Sequence, residues 1–286
     1  MDISKAVVAV AGSGTRLLPA TKAQPKEMLP IVDKPIIQYL VEELAAANIE
    51  DVIMVTRWDK KPLEDHFDRS VELEQSLEKA GKTGYQNMVR DVAKLANFVY
   101  VRQKGPYGNG TPILSAASLV RNEPFIFAFG DDLVKSKVSF TKQLVQTYEK
   151  EQCPIIGVQK VPRNQVDRYG ILKLKKGSHE VADIIEKPAL GKAPSQLAQF
   201  GRMVLTQDIV DILEKTPLGK GGELWVTDAL RTYVKNGGKV VAKEIEGGEW
   251  YTTGDPLNYL KATLEYAFDR KDLSRDLKRY IRKKLS

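Results

Sequence analysis

The apolar run "KAVVAVA" (residues 5–11) is continuous rather than alternating. A loop follows it, then a helical pattern over "PIIQYLVEELAAAN" (35–48), then a second apolar run, "DVIMVT" (51–56). A strand apolar on successive residues is covered on both faces, as in a parallel sheet between helix layers. Two such strands joined through a helix form a βαβ crossover, so the chain opens as parallel α/β. Pro35 suits the helix's first turn and Asn48 its stop. Residues 60–96 read as mostly helical and charged, 97–103 as a strand, 111–120 as a helix, 124–129 as a strand and 138–150 as a helix. Beyond Cys153 the texture changes. "PIIGVQKV", "GILKLK", "VADIIEK" and "QFGRMVLT" (199–206) read as strands separated by turns, without long helices between them. Helices at 207–214 and 223–236, a strand at 239–245 and one long helix from about 256 complete the pattern. The expectation is an α/β fold with a Rossmann-like, mixed but mostly parallel central sheet flanked by helices. Its loops at 12–16, 104–111 and 130–132 should gather beyond the carboxyl ends of the strands.

Bulk properties narrow the function classes. At 286 residues, 42% hydrophobic and 28% charged, the chain can bury a substantial core. No segment has the run of about 18 apolar residues that spans a bilayer, and the N-terminus lacks a cleavage pattern, so no membrane partner is expected. Cys153 is the only cysteine, which excludes an internal disulfide or a cysteine metal cluster and fits a cytoplasmic location. The net charge of +7 is concentrated in "DRKDLSRDLKRYIRKKLS" (269–286), where acidic residues interleave at helical spacing. That is the pattern of a solvated helix face, and no nucleic-acid-binding signature accompanies it. Tyr259, Leu260, Leu264 and Phe268 lie at helical spacing and suit packing on this domain or on a second copy.

The chemistry starts where the first strand ends. Gly12, Ser13 and Gly14 follow it directly, in "VAVAGSGTRLLPATKAQPKEMLPIVDKP" (8–35). Glycines let backbone N–H groups face an anion, Arg16 adds a fork of donors, and Lys26 delivers a charge from a segment constrained by Pro25. The stretch fits neither G-x-x-x-x-G-K-[ST] nor G-x-G-x-x-G, so the glycines alone say only that a turn is present.

The longer stretch "AGSGTRLLPATKAQPKEMLPIVDKPIIQYLVEEL" resembles the signature of the sugar-1-phosphate nucleotidylyltransferases, and its extended form looks like their bacterial uridylyltransferase branch. The likeness runs on in order through "HFDRSVELEQSLEKAGK" (66–82), "VRQKGPYGNGTPILSA" (101–116), "FIFAFGDDLV" (125–134), "RYGIL" (168–172), "IIEKP" (184–188) and "GGELWVTDAL" (221–230). It implies transfer of a uridylyl group from UTP to glucose 1-phosphate, with pyrophosphate leaving and Mg²⁺ as cofactor. Two alternatives stand beside it: a nucleotidylyltransferase for another nucleotide and sugar, or a catalytically weak sugar-nucleotide-binding regulator. The resemblance also implies a homo-oligomer, dimer or tetramer, and a single domain over 1–286. Residues 1–150 would mainly bind nucleotide, 151–255 would mainly bind sugar, and 256–286 would form a C-terminal helical segment.

Roles follow residue by residue from the same likeness. The loop of Ala11, Gly12, Ser13, Gly14, Thr15 and Arg16 would wrap the nucleotide phosphates. Lys26 would neutralise the α-phosphate and the leaving pyrophosphate. Gln103 would read the uracil edge, since an amide both donates and accepts, and Gly108 would let the backbone approach the base. Gly170 would lie close to the sugar ring, Glu186 would take the sugar hydroxyls and Lys187 the sugar phosphate. Asp131 would hold Mg²⁺, a hard cation served by one or two carboxylates plus phosphate oxygens. Asp132 should point away from it, as neighbours on extended backbone do. The family's second metal carboxylate falls at Thr252, in "EWYTTGDPLNYL", and a neutral hydroxyl is a weak substitute. Asp255, three residues on, is the candidate to compensate. In-line attack on phosphorus needs cations rather than a protein nucleophile, and the two histidines, His66 and His179, are expected to be surface or packing residues.

Overall fold

The computed structural model describes residues 2–285. In chain order the strands are β1 (Lys5–Ala9), β2 (Pro30–Ile31), β3 (Lys34–Pro35), β4 (Asp51–Thr56), β5 (Asn97–Arg102), β6 (Phe125–Phe129), β7 (Asp132–Ser136), β8 (Ile155–Lys160), β9 (Gly170–Leu174), β10 (Val181–Glu186), β11 (Leu197–Leu205), β12 (Val241–Glu244) and β13 (Gly248–Thr252). The α-helices are α1 (Ile36–Ala45), α2 (Lys61–Phe67), α3 (Val71–Lys79), α4 (Thr83–Val92), α5 (Thr111–Ala116), α6 (Phe140–Glu151), α7 (Gln207–Leu213), α8 (Val226–Lys235), α9 (Pro256–Asp269) and α10 (Ser274–Leu285).

The main sheet runs β10-β9-β11-β6-β1-β4-β5, with β8 also on β11 and β12 on β8. β6, β1, β4 and β5 pair in parallel, whereas β11 is antiparallel to β6, β8 and β9. The continuous apolar strands are explained by what covers them. Ala6 and Val8 of β1, with Val52 and Met54 of β4, face one core, filled by Ile37, Leu40 and Leu44 of α1. Val7, Ile53 and Val55 face the other, filled by Ile113 of α5 and by residues of α7 and α8. Alternate residues of each strand therefore serve two cores, which is why no polar alternation is visible. Asn48 stops the first helix in a left-handed conformation, φ 62°.

Three features depart from the sequence reading. β7 and β13 pair with each other as a separate antiparallel ribbon, with Thr252 opposite Asp132. Neither segment reads as a strand alone. The expected long C-terminal helix is two, α9 and α10. At the break Arg270, the C-cap of α9, pairs with Asp33 from the β2–β3 turn at 2.7 and 2.8 Å and with Asp272 at 2.8 and 2.9 Å. The apolar positions of α9 also divide. Tyr259 packs on a small cluster with Ile31, Ile36, Leu133 and Ala262, and its hydroxyl donates to the Pro30 carbonyl at 2.6 Å. Leu260 and Leu264 face solvent. Among the described residues no helix is long and apolar enough to cross a membrane.

Candidate active site

A cleft of about 510 Å³ opens beyond the carboxyl ends of β1 and β6. It is walled on one side by the turn after β1 and on the other by the end of β10. Every residue of the loop from Ala11 to Arg16 lines it, as do Lys26 and Gln103. Asp131 and Thr252 line it too, and so do Gly108, Gly170, Glu186 and Lys187 toward the end of β10. The structure thus brings together all the sequence-predicted site residues but one. The exception is Asp255. Its side chain caps α9, accepting from the Asn258 amide at 3.1 Å, and it pairs with Arg168 at 2.6 Å. It does not line the cleft: the start of α9 and Arg168 hold it.

At the loop end, Gly14 sits at φ 65°, and the side chain of Lys26 lies along the turn. A Cβ on Gly12 would stand 3.7 Å from the Lys26 ammonium. That ammonium meets Asp131 Oδ2 at 2.5 Å. Burial works against the charged form of both partners, but each meets the other's charge. The Lys26 ammonium is held above its ordinary value and the Asp131 carboxyl below its own. Arg16 adds to the effect on Asp131. Directly beneath, Glu27 is fully buried and accepts from Lys60 Nζ at 2.8 Å, with burial pushing its carboxyl up. Successive residues of one short turn thus send Lys26 into the cleft and Glu27 into the protein.

Asp131 and Asp132 both line the cleft but are held by different partners. The Asp131 carbonyl accepts from both the amide and the hydroxyl of Thr253, each at 2.9 Å. Asp132 Oδ2 accepts from the Gly201 amide at 2.8 Å, and burial, then the charge of Asp131, push its carboxyl up to about 6. Asp131 Oδ2, Thr252 Oγ1 and Arg16 Nη1 share one corner: a Cβ on Gly254 would lie 3.2, 3.6 and 3.7 Å from them. Among the described residues no three His, Cys, Asp or Glu side chains gather as a metal cluster. The oxygens at this corner, one carboxylate and one hydroxyl, suit a small hard cation that draws its remaining ligands from water and phosphate, beside the charges of Arg16 and Lys26.

The far end is built differently. Glu186 ends β10, and its Oε2 accepts from the Thr227 hydroxyl at 2.8 Å, which in turn accepts from Gln199 Nε2 at 2.6 Å. Burial pushes the Glu186 carboxyl up. Lys187 follows with φ 44°, a conformation that side chains rarely take, fixed by its amide donating to the Tyr169 carbonyl at 3.0 Å. Its ammonium lies 3.7 Å from the centre of the Trp225 ring. Gly108 lies near this wall, at φ 124°, and a Cβ there would stand 2.1 Å from the Leu224 carbonyl oxygen. Packing against Leu224 therefore demands glycine at 108 whatever else binds nearby.

The family model of nucleotidyl transferases, described as "Nucleotidyl transferase", matches residues 5–268. The chain belongs to the nucleotidyl transferase family. A relative from Staphylococcus epidermidis, a UTP–glucose-1-phosphate uridylyltransferase, is 47% identical over 283 residues, covering 98% of each chain. A UDP-glucose pyrophosphorylase solved with UDP-glucose superposes with a TM-score of 0.83 at 41% identity, covering 94% of this chain and 100% of its own. A UTP-bound enzyme of the same kind from Acinetobacter baumannii gives 0.89 at 36% identity, covering 98% of each chain.

The family motifs did not single out several groups that shape this site. Arg57 donates from Nη1 to Ser13 Oγ at 2.9 Å and is itself clamped by Asp59. Gln199 and Thr227 hold Glu186, and Arg168 and Trp225 line the cleft. Trp225 and Thr227 lie inside "GGELWVTDAL", so the motif marked their segment without giving them a task. Arg57 and the Glu27–Lys60 pair carry no local signal, because their meaning depends on partners 33 or more residues away.

Proposed function

We propose that the chain transfers the uridylyl group of UTP to glucose 1-phosphate, giving UDP-glucose and pyrophosphate. The observation that carries this is one cleft with a glycine-turn, Arg16 and Lys26 at one end, Glu186 and Lys187 at the other, and Asp131 between. Relatives over nearly the full length bear the name of this activity, which favours it over another nucleotide–sugar pair or a regulator without turnover.

In this reading a phosphate oxygen of the sugar 1-phosphate attacks the α-phosphorus of UTP in line. The bond from that phosphorus to the β-phosphate bridging oxygen breaks, and pyrophosphate takes the electron pair. No protein nucleophile is needed, because the reactants supply both the attacking and the leaving oxygen. The amides of the turn and the Arg16 guanidinium hold the triphosphate. Lys26 neutralises charge on the α-phosphate and on the departing pyrophosphate, and its pairing with Asp131 fixes where that charge stands. Gln103 reads the uracil edge through its amide. Glu186 accepts from sugar hydroxyls, and Lys187 meets the sugar phosphate. Asp131, with the Thr252 hydroxyl beside it, would hold Mg²⁺, which would supply further neutralisation of the phosphate oxygens. The same reading carries a cytoplasmic homo-oligomer, for which exposed Leu257, Leu260 and Leu264 offer an apolar face.

The test is pyrophosphate release with UTP, ATP, GTP and thymidine triphosphate, each against glucose 1-phosphate and other sugar 1-phosphates. UTP with glucose 1-phosphate is expected to be turned over fastest. Equal turnover with every nucleotide contradicts the role given to Gln103.

A further inference from the structure

We infer that Trp225 is the positioning residue for Lys187: its indole face holds the ammonium ready for an incoming sugar phosphate. The inference rests on the role of Lys187 proposed above.

The geometry is specific. The Lys187 ammonium stands 3.7 Å from the Trp225 ring centre, well inside the range of a cation–π contact. Its nearest carboxylate oxygen, Glu186 Oε1, is at 3.4 Å, too long for a strong charge-assisted hydrogen bond, while the other Glu186 oxygen accepts from Thr227. The ring is fixed in turn. The Trp225 indole N–H donates to the Lys220 carbonyl at 2.9 Å, and a Cβ on Gly219 would stand 3.1 Å from Trp225 Cδ1. Lys220 closes the circuit, its ammonium donating to the Lys187 carbonyl at 2.9 Å and so bracing the left-handed backbone at Lys187. Trp225 is 9% exposed, yet it lines the cleft.

The choice of an aromatic ring has a chemical consequence. A carboxylate in the same place would hold Lys187 by neutralising it, and a phosphate would have to displace that partner. The face of a ring attracts a cation without carrying net charge, so it orders the side chain without adding a second anion to Glu186, whose nearest oxygen stands 3.4 Å away. A flexible lysine loses rotamer freedom on being ordered, and here that loss precedes binding. The device should therefore act on affinity for the sugar phosphate and leave UTP binding and the chemical step alone.

The experiment compares full-length wild type, Trp225→Leu and Trp225→Phe in pyrophosphate release, with tryptophan emission followed while glucose 1-phosphate is titrated. Trp225→Leu is expected to raise KM for glucose 1-phosphate about tenfold, the order of one cation–π contact, with kcat and KM for UTP little changed. Trp225→Phe, which restores a ring face without the indole N–H, should recover most of that loss. Wild-type emission should shift on titration as the phosphate closes on the ammonium held against the indole, and the shift should disappear in Trp225→Phe although Trp58 and Trp250 remain. An unchanged KM for glucose 1-phosphate in Trp225→Leu overturns the inference. So does an equal rise in KM for UTP, a fall in kcat alone, or failure of Trp225→Phe to restore affinity. If wild type releases no pyrophosphate from UTP and glucose 1-phosphate, the proposed function fails instead. The emission titration then decides the Lys187–Trp225 contact by itself: a saturable shift lost in Trp225→Phe upholds it, and no shift overturns it.

Discussion

Lys26 at one end of the cleft and Lys187 at the other are both cations facing the same space, but the protein holds them by opposite means. Lys26 is locked to Asp131 at 2.5 Å, above a second buried pair, Glu27 and Lys60. Lys187 stands on a ring, with no carboxylate oxygen nearer than 3.4 Å. The first end grows from parallel strands β1 and β6, buried on both faces; the second from the antiparallel strands β9–β11 and the start of α8. The difference matches the proposed tasks. A triphosphate carries enough negative charge to engage a cation already shared with a carboxylate, and the carboxylate remains useful as a metal ligand. A sugar phosphate carries less, and its cation meets a carboxylate only loosely, at 3.4 Å.

The comparison breaks most visibly at Asp131. Asp131→Ala is expected to lower the pyrophosphate-release rate about a hundredfold or more, since it removes a charged ligand and the partner of Lys26. An unchanged rate removes the metal corner from this account.

Asp132 tests the scaffold behind that corner. Its carboxyl, ordinarily near 3.8, is pushed up to about 6 in the fold. As pH rises from about 4 to 6 the unfolded chain gives up this proton first, so the folded state loses stability across that window and the loss is complete above it. Asp132→Asn does not titrate. Its stability relative to wild type, measured by urea midpoints at a series of pH values, should therefore rise between about pH 4 and 6 and then level off. The gain is about 3 kcal/mol at most. A difference independent of pH contradicts the assigned cause.

Thr252→Asp sharpens the same corner with a smaller effect. Thr252 Oγ1 and Asp131 Oδ2 flank the same point above Gly254. A second carboxylate there should lower the Mg²⁺ concentration for half-maximal rate several-fold. An unchanged Mg²⁺ dependence shows that residue 252 does not face the cation.

The sequence made some of this legible for physical reasons. Strands β1 and β4 declare themselves because burial on both faces leaves an unbroken apolar run. The loop at Gly12–Gly14 and the Glu186–Lys187 pair are local motifs, readable because the groups that matter adjoin in sequence. The β7–β13 ribbon is not readable that way: "DLVKS" and "GEWYT" are short and mixed, and only pairing across the chain makes them strands. The break between α9 and α10 has no glycine or proline to announce it. Asp255 looks like a free carboxylate until its helix-capping bond and Arg168 are seen. Trp225 gained a task only when folding set its ring under Lys187.

The most direct test of the two-ended cleft is calorimetric titration of UTP, with Mg²⁺ present, into wild type, Lys26→Ala and Lys187→Ala. The account predicts that Lys26→Ala weakens UTP binding about tenfold or more, in keeping with the loss of a charge-assisted contact, while Lys187→Ala binds UTP as wild type does. Loss of UTP affinity in Lys187→Ala equal to that in Lys26→Ala would contradict it.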